Sequence, residues 1–116
     1  MNENEISYDI RGAAFKVHTT LGPGLLESVY EIALAHELKK MGYEVKSQVG
    51  LPVVYDDIKL EMGYRIDLLI NDLVIIEIKS VDALADVHHK QLLTYLKLSG
   101  KKLGLLINFN VSSLKE

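Results

Sequence analysis

The sequence predicts a mixed α/β fold, a mixed β-sheet flanked by helices in the order α-α-β-β-β-α-β, and three observations carry that reading. Gly63 to Ser80 holds two apolar, β-branched runs on either side of Asn71-Asp72, a pair that tolerates the positive φ angles of a tight turn, which reads as a β-hairpin. Ahead of it, apolar residues recur at helical spacing in two stretches separated by Gly22-Pro23-Gly24. Behind it come one helical stretch and one extended run, an order that favours parallel pairing through a right-handed crossover. At 116 residues the chain is expected to make a single domain, 1–116, large enough to bury a core but too small for two.

The first helix runs from Ile6 to about Thr20, with Ile6, Ile10, Ala13, Ala14 and Val17 on its apolar face and Glu3 or Asn4 near its start. His18 suits the helix dipole when charged, and no function is assigned to it. A second helix spans Leu25 to about Met41 and ends at Gly42; Leu26, Val29, Tyr30, Ala33, Leu34 and Leu38 form its stripe. Glu27 falls on that stripe, which predicts that it faces the protein; an N-terminal acid favoured by the dipole is the other reading. Leu25 and Ile32 lie outside the stripe, so the first helix is expected to cover that second apolar side.

Tyr43 to Val49 and Leu51 to Tyr55 are extended runs interrupted at Gly50-Leu51-Pro52, and Asp56-Asp57 turns the chain into Ile58 to Ile70. These are expected to make the outer part of the sheet. Beyond the hairpin, a helix from Asp86 to Ser99 is stopped by Gly100 and followed by a strand from Lys102 to Phe109. On that helix Gln91 and Tyr95 stand four apart and share a face with Leu98, while Leu92, Leu93 and Leu96 supply apolar packing.

Asp67, Glu77 and Lys79 interrupt stretches otherwise apolar enough to be sheet interior, where an unpaired charge costs several kcal/mol or changes its protonation state. Glu77 and Lys79 share a face, since side chains alternate along a strand. Whether Asp67 joins them depends on the turn. A two-residue loop pairs Asp67 with Ile76, whereas a three-residue loop, Asn71 to Leu73, or a bulge near Glu77 pairs Asp67 with Glu77. An ion pair of Lys79 with Glu77 or Asp67 at an exposed strand end is the plainer alternative.

Asp67, followed across the hairpin by Glu77-Ile78-Lys79, resembles the PD-(D/E)XK nuclease superfamily. Gly24-Leu25-Leu26-Glu27-Ser28-Val29-Tyr30 fits the GxxExxY signature of one family within it, and Gln91 to Tyr95 fits the QxxxY element of some branches. Ile66 stands where the superfamily name has proline, a variable position. The resemblance implies a restriction-endonuclease-like core and a nuclease that hydrolyses phosphodiester bonds of nucleic acid, DNA ahead of RNA, with Mg2+ or Mn2+. On that reading Asp67, Glu77, Glu27 and the backbone carbonyl of Ile78 hold the metal, as hard cations prefer oxygen. Lys79 positions or deprotonates the water, Gln91 orients Lys79 or the phosphate, and Tyr30 and Tyr95 support the site. On the same resemblance, Val111 to Glu116 is expected to start a closing C-terminal helix that family members extend, and to be truncated.

The chain carries no cysteine, which excludes a disulfide framework and a thiolate metal site; with no apolar N-terminal run, a cytoplasmic protein with no membrane partner is expected. His88 and His89 are adjacent and cannot form the i, i+4 pair of a zinc helix. A formal net charge of -3 argues against a broad basic surface, so nucleic-acid contact is local, and a homodimer or a partner subunit would supply more. Arg65 is a secondary phosphate contact, with a solvated strand-end arginine as its plainer reading. The alternative function is a catalytically silent nuclease-fold module that binds nucleic acid or a protein partner.

Overall fold

The computed structural model describes residues 2–61 and 63–114. Helix α1 covers Glu3–Leu21 and starts at Asn2, whose side-chain oxygen accepts from Glu5 N at 2.9 Å. Helix α2 covers Glu27–Lys40, and strand β1 covers Val45–Gly50. Strands β2 (Val53–Tyr55) and β3 (Ile58–Leu60) precede the hairpin of β4 (Arg65–Ile70) and β5 (Val74–Lys79). Helix α3 (Asp86–Ser99) and strand β6 (Leu103–Asn108) complete the order. No helix among the described residues is long and apolar enough to cross a membrane.

Four strands form the main sheet in the order β1-β4-β5-β6, antiparallel except for the parallel β5–β6 pair that the α3 crossover predicts. Helices α1 and α2 cover one face, where Ile6, Ile10, Tyr30 and Leu34 meet Leu68, Ile70, Ile76 and Phe109. Helix α3 covers the other through Leu92, Tyr95 and Leu96 against Ile66, Leu69 and Ile75. Strand β5 is central and buried on both faces, which is why Val74-Ile75-Ile76 is apolar without alternation. Gly104 on β6 admits α3 closely: a Cβ there would lie 2.6 Å from Leu92 Cδ1.

Several expectations are corrected. The run Ile58–Ile70 is two strands, interrupted before β4 by Gly63 at φ 77°, a left-handed value that an extended strand does not pass through. Strands β2 and β3 pair with each other in a separate two-stranded ladder and do not extend the main sheet. Pro52, which has no N–H to donate to a ladder, stands where the chain leaves β1. Leu26 is the extended N-cap of α2, outside helical periodicity, and is exposed; Val29 and Ile32 are exposed too, and Ala35 is buried in their stead. Leu93 on α3 is exposed, since a helix lying on one sheet face buries only a stripe. Val111–Ser113 form bends rather than a helical turn, Leu114 has no regular structure, and Lys115 and Glu116 lie outside the described residues. His18 is buried, with Nε2 2.7 Å from the Val111 carbonyl oxygen, and so ties α1 to the segment after β6.

Candidate active site

The turn between β4 and β5 decides which charged residues meet. Asn71 and Asp72 adopt left-handed φ values of 50° and 58°, and Leu73 N donates to Ile70 O at 2.9 Å, closing a type I′ turn. The ladder resumes by pairing Ile70 with Val74, which leaves Leu73 as an extra residue. Leu68 therefore faces Ile76, and the next position on each strand sets Asp67 opposite Glu77. Of the alternatives open from the sequence, the three-residue loop is the one built.

Beyond Leu68 and Ile76 side chains take over from the backbone ladder. Asp67 N donates to Glu77 Oε2 at 2.8 Å, and Ile78 N donates to Asp67 Oδ2 at 2.8 Å. Each carboxylate thus satisfies an amide of the opposite strand and props the strands apart as a fork. The Ile78 carbonyl faces the same fork, because the N–H and C=O of a strand residue point to one side. A related distortion runs through β1. Val45 packs under α1 and α2 while Val49 packs under α3, although residues four apart should share a face. Leu68 and Ile66 differ in the same way. The switch falls at Gln48, with φ 54°, opposite Asp67, where the β1–β4 ladder skips one pair.

Glu77 is only 3% exposed, and burial pushes its carboxyl up to about 7. The bond from Asp67 N and the Lys79 charge pull it back, while the Asp67 and Glu31 charges push it further up. Glu77 Oε1 has no hydrogen-bond partner among the described residues, and none of their unpaired polar side-chain atoms is buried, so this oxygen opens to solvent. Lys79 projects to the same face two residues on and forms no salt bridge among the described residues. From α3, Gln91 Nε2 donates to the Tyr95 hydroxyl at 3.2 Å. Burial raises the Tyr95 pKa, with Glu77 and Asp67 adding to the effect, so the phenol stays protonated beside the carboxylates. Tyr64 meets Tyr95 edge to face at 6.3 Å.

A family model described as the PD-(D/E)XK nuclease superfamily matches residues 4–116. The chain belongs to the PD-(D/E)XK nuclease superfamily. No curated protein and no solved structure matches it. Membership supports a nuclease-type function in general, and PD-(D/E)XK nucleases generally use divalent metal ions. The mixed sheet with helices on both faces is consistent with the restriction-endonuclease-like fold of this superfamily.

In this PD-(D/E)XK chain, the stretch Gly24 to Tyr30 fastens α2 to the end of the strand that carries Glu77 and Lys79. Glu27 is exposed, contrary to the helical-stripe expectation, because it opens α2 beyond the packed face. Its Oε2 accepts from Ser80 N at 3.0 Å, and Ser80 Oγ donates to Leu25 O at 2.7 Å. Tyr30 is buried and stacks on Phe109 with centroids 4.6 Å apart. Its hydroxyl donates to Gly22 O at 2.6 Å and accepts from Leu25 N at 3.1 Å, which fixes the loop before α2. Gln91 reaches Tyr95, and no hydrogen bond joins it to Lys79 among the described residues. Arg65 is exposed at the start of β4. His88 Nδ1 accepts from Ala85 N at 3.0 Å, capping α3.

Two residues at the fork escaped the sequence reading. Glu31 lies one turn after Glu27 on α2, and its Oε1 accepts from Gln48 Nε2 at 2.8 Å; the same nitrogen stands 3.4 Å from Asp67 Oδ1. The helical arithmetic that singled out Glu27 also reaches Glu31 on the i, i+4 neighbour rule. Gln48 carries no such signal, because positive φ is ordinarily announced by Gly, Asn or Asp. Among the described residues, no three His, Asp or Glu side chains form a ready cluster around one point.

Proposed function

We propose that the protein is a metal-dependent nuclease of the GxxExxY type, hydrolysing phosphodiester bonds of nucleic acid, DNA ahead of RNA, with Mg2+ or Mn2+. The single observation that carries this reading is the crossed pair at the fork: Asp67 and Glu77 each commit one oxygen to the opposite strand, Glu77 Oε1 has no hydrogen-bond partner among the described residues, and Asp67 Oδ1 meets Gln48 Nε2 at 3.4 Å. The donor set fits a hard cation. It consists of the Asp67 and Glu77 carboxylates, each bonded to the facing strand, and the Ile78 carbonyl, with Glu27 bonded to Ser80 N at the end of β5. When bound, a divalent ion supplies charge neutralisation at the phosphate and a more acidic water.

The chain's own residues do the rest. Backbone amides hold the Asp67 and Glu77 carboxylates in place, so little reorganisation accompanies ligand entry. Lys79, free of a salt-bridge partner among the described residues, directs its ammonium to the attacking water or to the charge that builds on the phosphate. Gln91, anchored through Tyr95, keeps its carbonyl and a second N–H for Lys79 or the phosphate. Tyr30 acts as support for the α2 start. The cysteine-free chain suits a cytoplasmic setting, and its net charge of -3 suits a homodimer or partner subunit that adds grip on the polymer.

A catalytically silent module that binds nucleic acid or a protein partner is the second reading, favoured by the lack of a ready three-residue ligand cluster among the described residues. Cleavage of labelled single- and double-stranded DNA and RNA, with Mg2+, Mn2+ or chelator, separates the two.

A further inference from the structure

We infer that Gln48 is a positioning residue for Asp67, with Glu31 as its anchor. Gln48 Nε2 has two N–H groups, and the structure directs them to two carboxylates: Glu31 Oε1 at 2.8 Å and Asp67 Oδ1 at 3.4 Å. The other Asp67 oxygen, Oδ2, accepts from Ile78 N at 2.8 Å. Asp67 is therefore held by a side chain on one oxygen and by the facing strand on the other, and rotation about its χ2 breaks both bonds. Without the amide between them, Glu31 and Asp67 are two like charges facing each other. Burial raises the Glu31 pKa, the Gln48 bond opposes the rise, and the Asp67 charge adds to it.

The backbone at Gln48 makes the same point independently. Its φ is 54°, a left-handed value that non-glycine residues rarely adopt and that is strained unless the surroundings fix it. Glycine or asparagine would satisfy that backbone with less strain. A glutamine here supplies what neither provides, an amide on a stem long enough to reach both α2 and β4. The same residue marks the point where β1 changes face and skips its pairing with Asp67. Backbone strain and side-chain reach thus converge on one task, aiming the Asp67 carboxylate into the fork. The catalytic consequence rests on the nuclease reading; the positioning itself does not.

The test uses Gln48→Gly and Gln48→Asn, which suit a positive φ but remove or shorten the amide. It reads amide hydrogen exchange at Ile78, with Ile76 as the internal control, and separates kcat from KM on the most readily cut substrate. Both variants are expected to keep the wild-type unfolding midpoint or exceed it. Ile78 exchange should speed up about tenfold while Ile76 stays protected, as for a local opening. The value of kcat should fall about tenfold with KM changed less than about twofold, the pattern of a misaimed group rather than lost binding. Wild-type Ile78 protection in a folded Gln48→Gly protein overturns the proposal, and faster Ile78 exchange with unchanged kcat overturns its catalytic consequence. Should the Gln48 variants not fold, Glu31→Ala on the α2 surface decides by the same amide: faster exchange supports the anchor, and wild-type exchange overturns it. If the native protein cuts nothing, the nuclease reading fails by itself, and the Ile78 amide still decides whether Gln48 holds Asp67.

Discussion

Asp67 and Glu77 hold the fork between β4 and β5 by a crossed exchange: Glu77 Oε2 accepts from Asp67 N, and Asp67 Oδ2 accepts from Ile78 N, both at 2.8 Å. Two like charges stay close because each is bound to the strand opposite. Fold and site are therefore built from the same bonds.

Asp67→Ala leaves the Ile78 amide without its partner, which should cost about 1–3 kcal/mol. Asp67→Asn retains a carbonyl acceptor and should cost less, while still removing the charge needed for metal binding and turnover. Urea unfolding of the two variants checks the order. Equal losses would mean that the Ile78 bond contributes nothing.

Stability should depend on pH through two carboxylates of opposite sign. The Glu77 pKa is raised from 4.5 to about 7, so within that window the folded state holds more proton than the unfolded one. Stability then falls as pH rises from about 4.5 to about 7, by about 3 kcal/mol in total. Glu37, bonded first to Lys16 and then to Lys40, is lowered from 4.5 to about 2; its contribution is present above 4.5 and lost as pH falls toward 2. Denaturant midpoints across these two windows measure both limbs, and Glu77→Gln should flatten the upper limb alone.

Tyr30→Phe keeps the stack on Phe109 at 4.6 Å and deletes the hydroxyl that holds Gly22 and Leu25. A loss of about 1–2 kcal/mol in unfolding free energy is expected, with turnover per folded molecule nearly unchanged. A collapse of turnover in a stable Tyr30→Phe protein would assign the hydroxyl to the chemistry.

Metal should stabilise the fold, since a ligand bound only by the folded state raises its midpoint by mass action. Mg2+ or Mn2+ added in steps should raise the thermal midpoint of the native chain, with chelator reversing it. Glu77→Gln should respond much less. An equal rise in both proteins would put the ion elsewhere.

What the sequence disclosed follows from how local each determinant is. Asn71-Asp72 announced a turn because both residues tolerate left-handed backbone, and they adopt it. Whether Leu73 belonged to the strand or the turn was not legible, and that one residue sets Asp67 against Glu77 or against Ile76. Helix α3 was legible to its ends because Asp86 opens it and Gly100 closes it in the left-handed region. Leu26 and Ile32 misled because an apolar residue at a plausible helical position does not reveal whether a neighbour covers it. Gln48 was invisible for a different reason: its role depends on β4 and α2 arriving beside it, and nothing in residues 43–50 encodes that meeting.

The most direct test of the account is cleavage of labelled DNA and RNA, single- and double-stranded, by the native chain and by Lys79→Ala, each with Mg2+, Mn2+ or chelator. An ammonium is no metal ligand, so Lys79→Ala should keep the metal-dependent rise in midpoint while losing roughly two or more orders of magnitude in turnover. Cleavage by the native chain should stop in chelator. Cleavage that survives both Lys79→Ala and chelator, or binding of a substrate without any cleavage under all conditions, would contradict a metal-dependent nuclease centred on Asp67, Glu77 and Lys79.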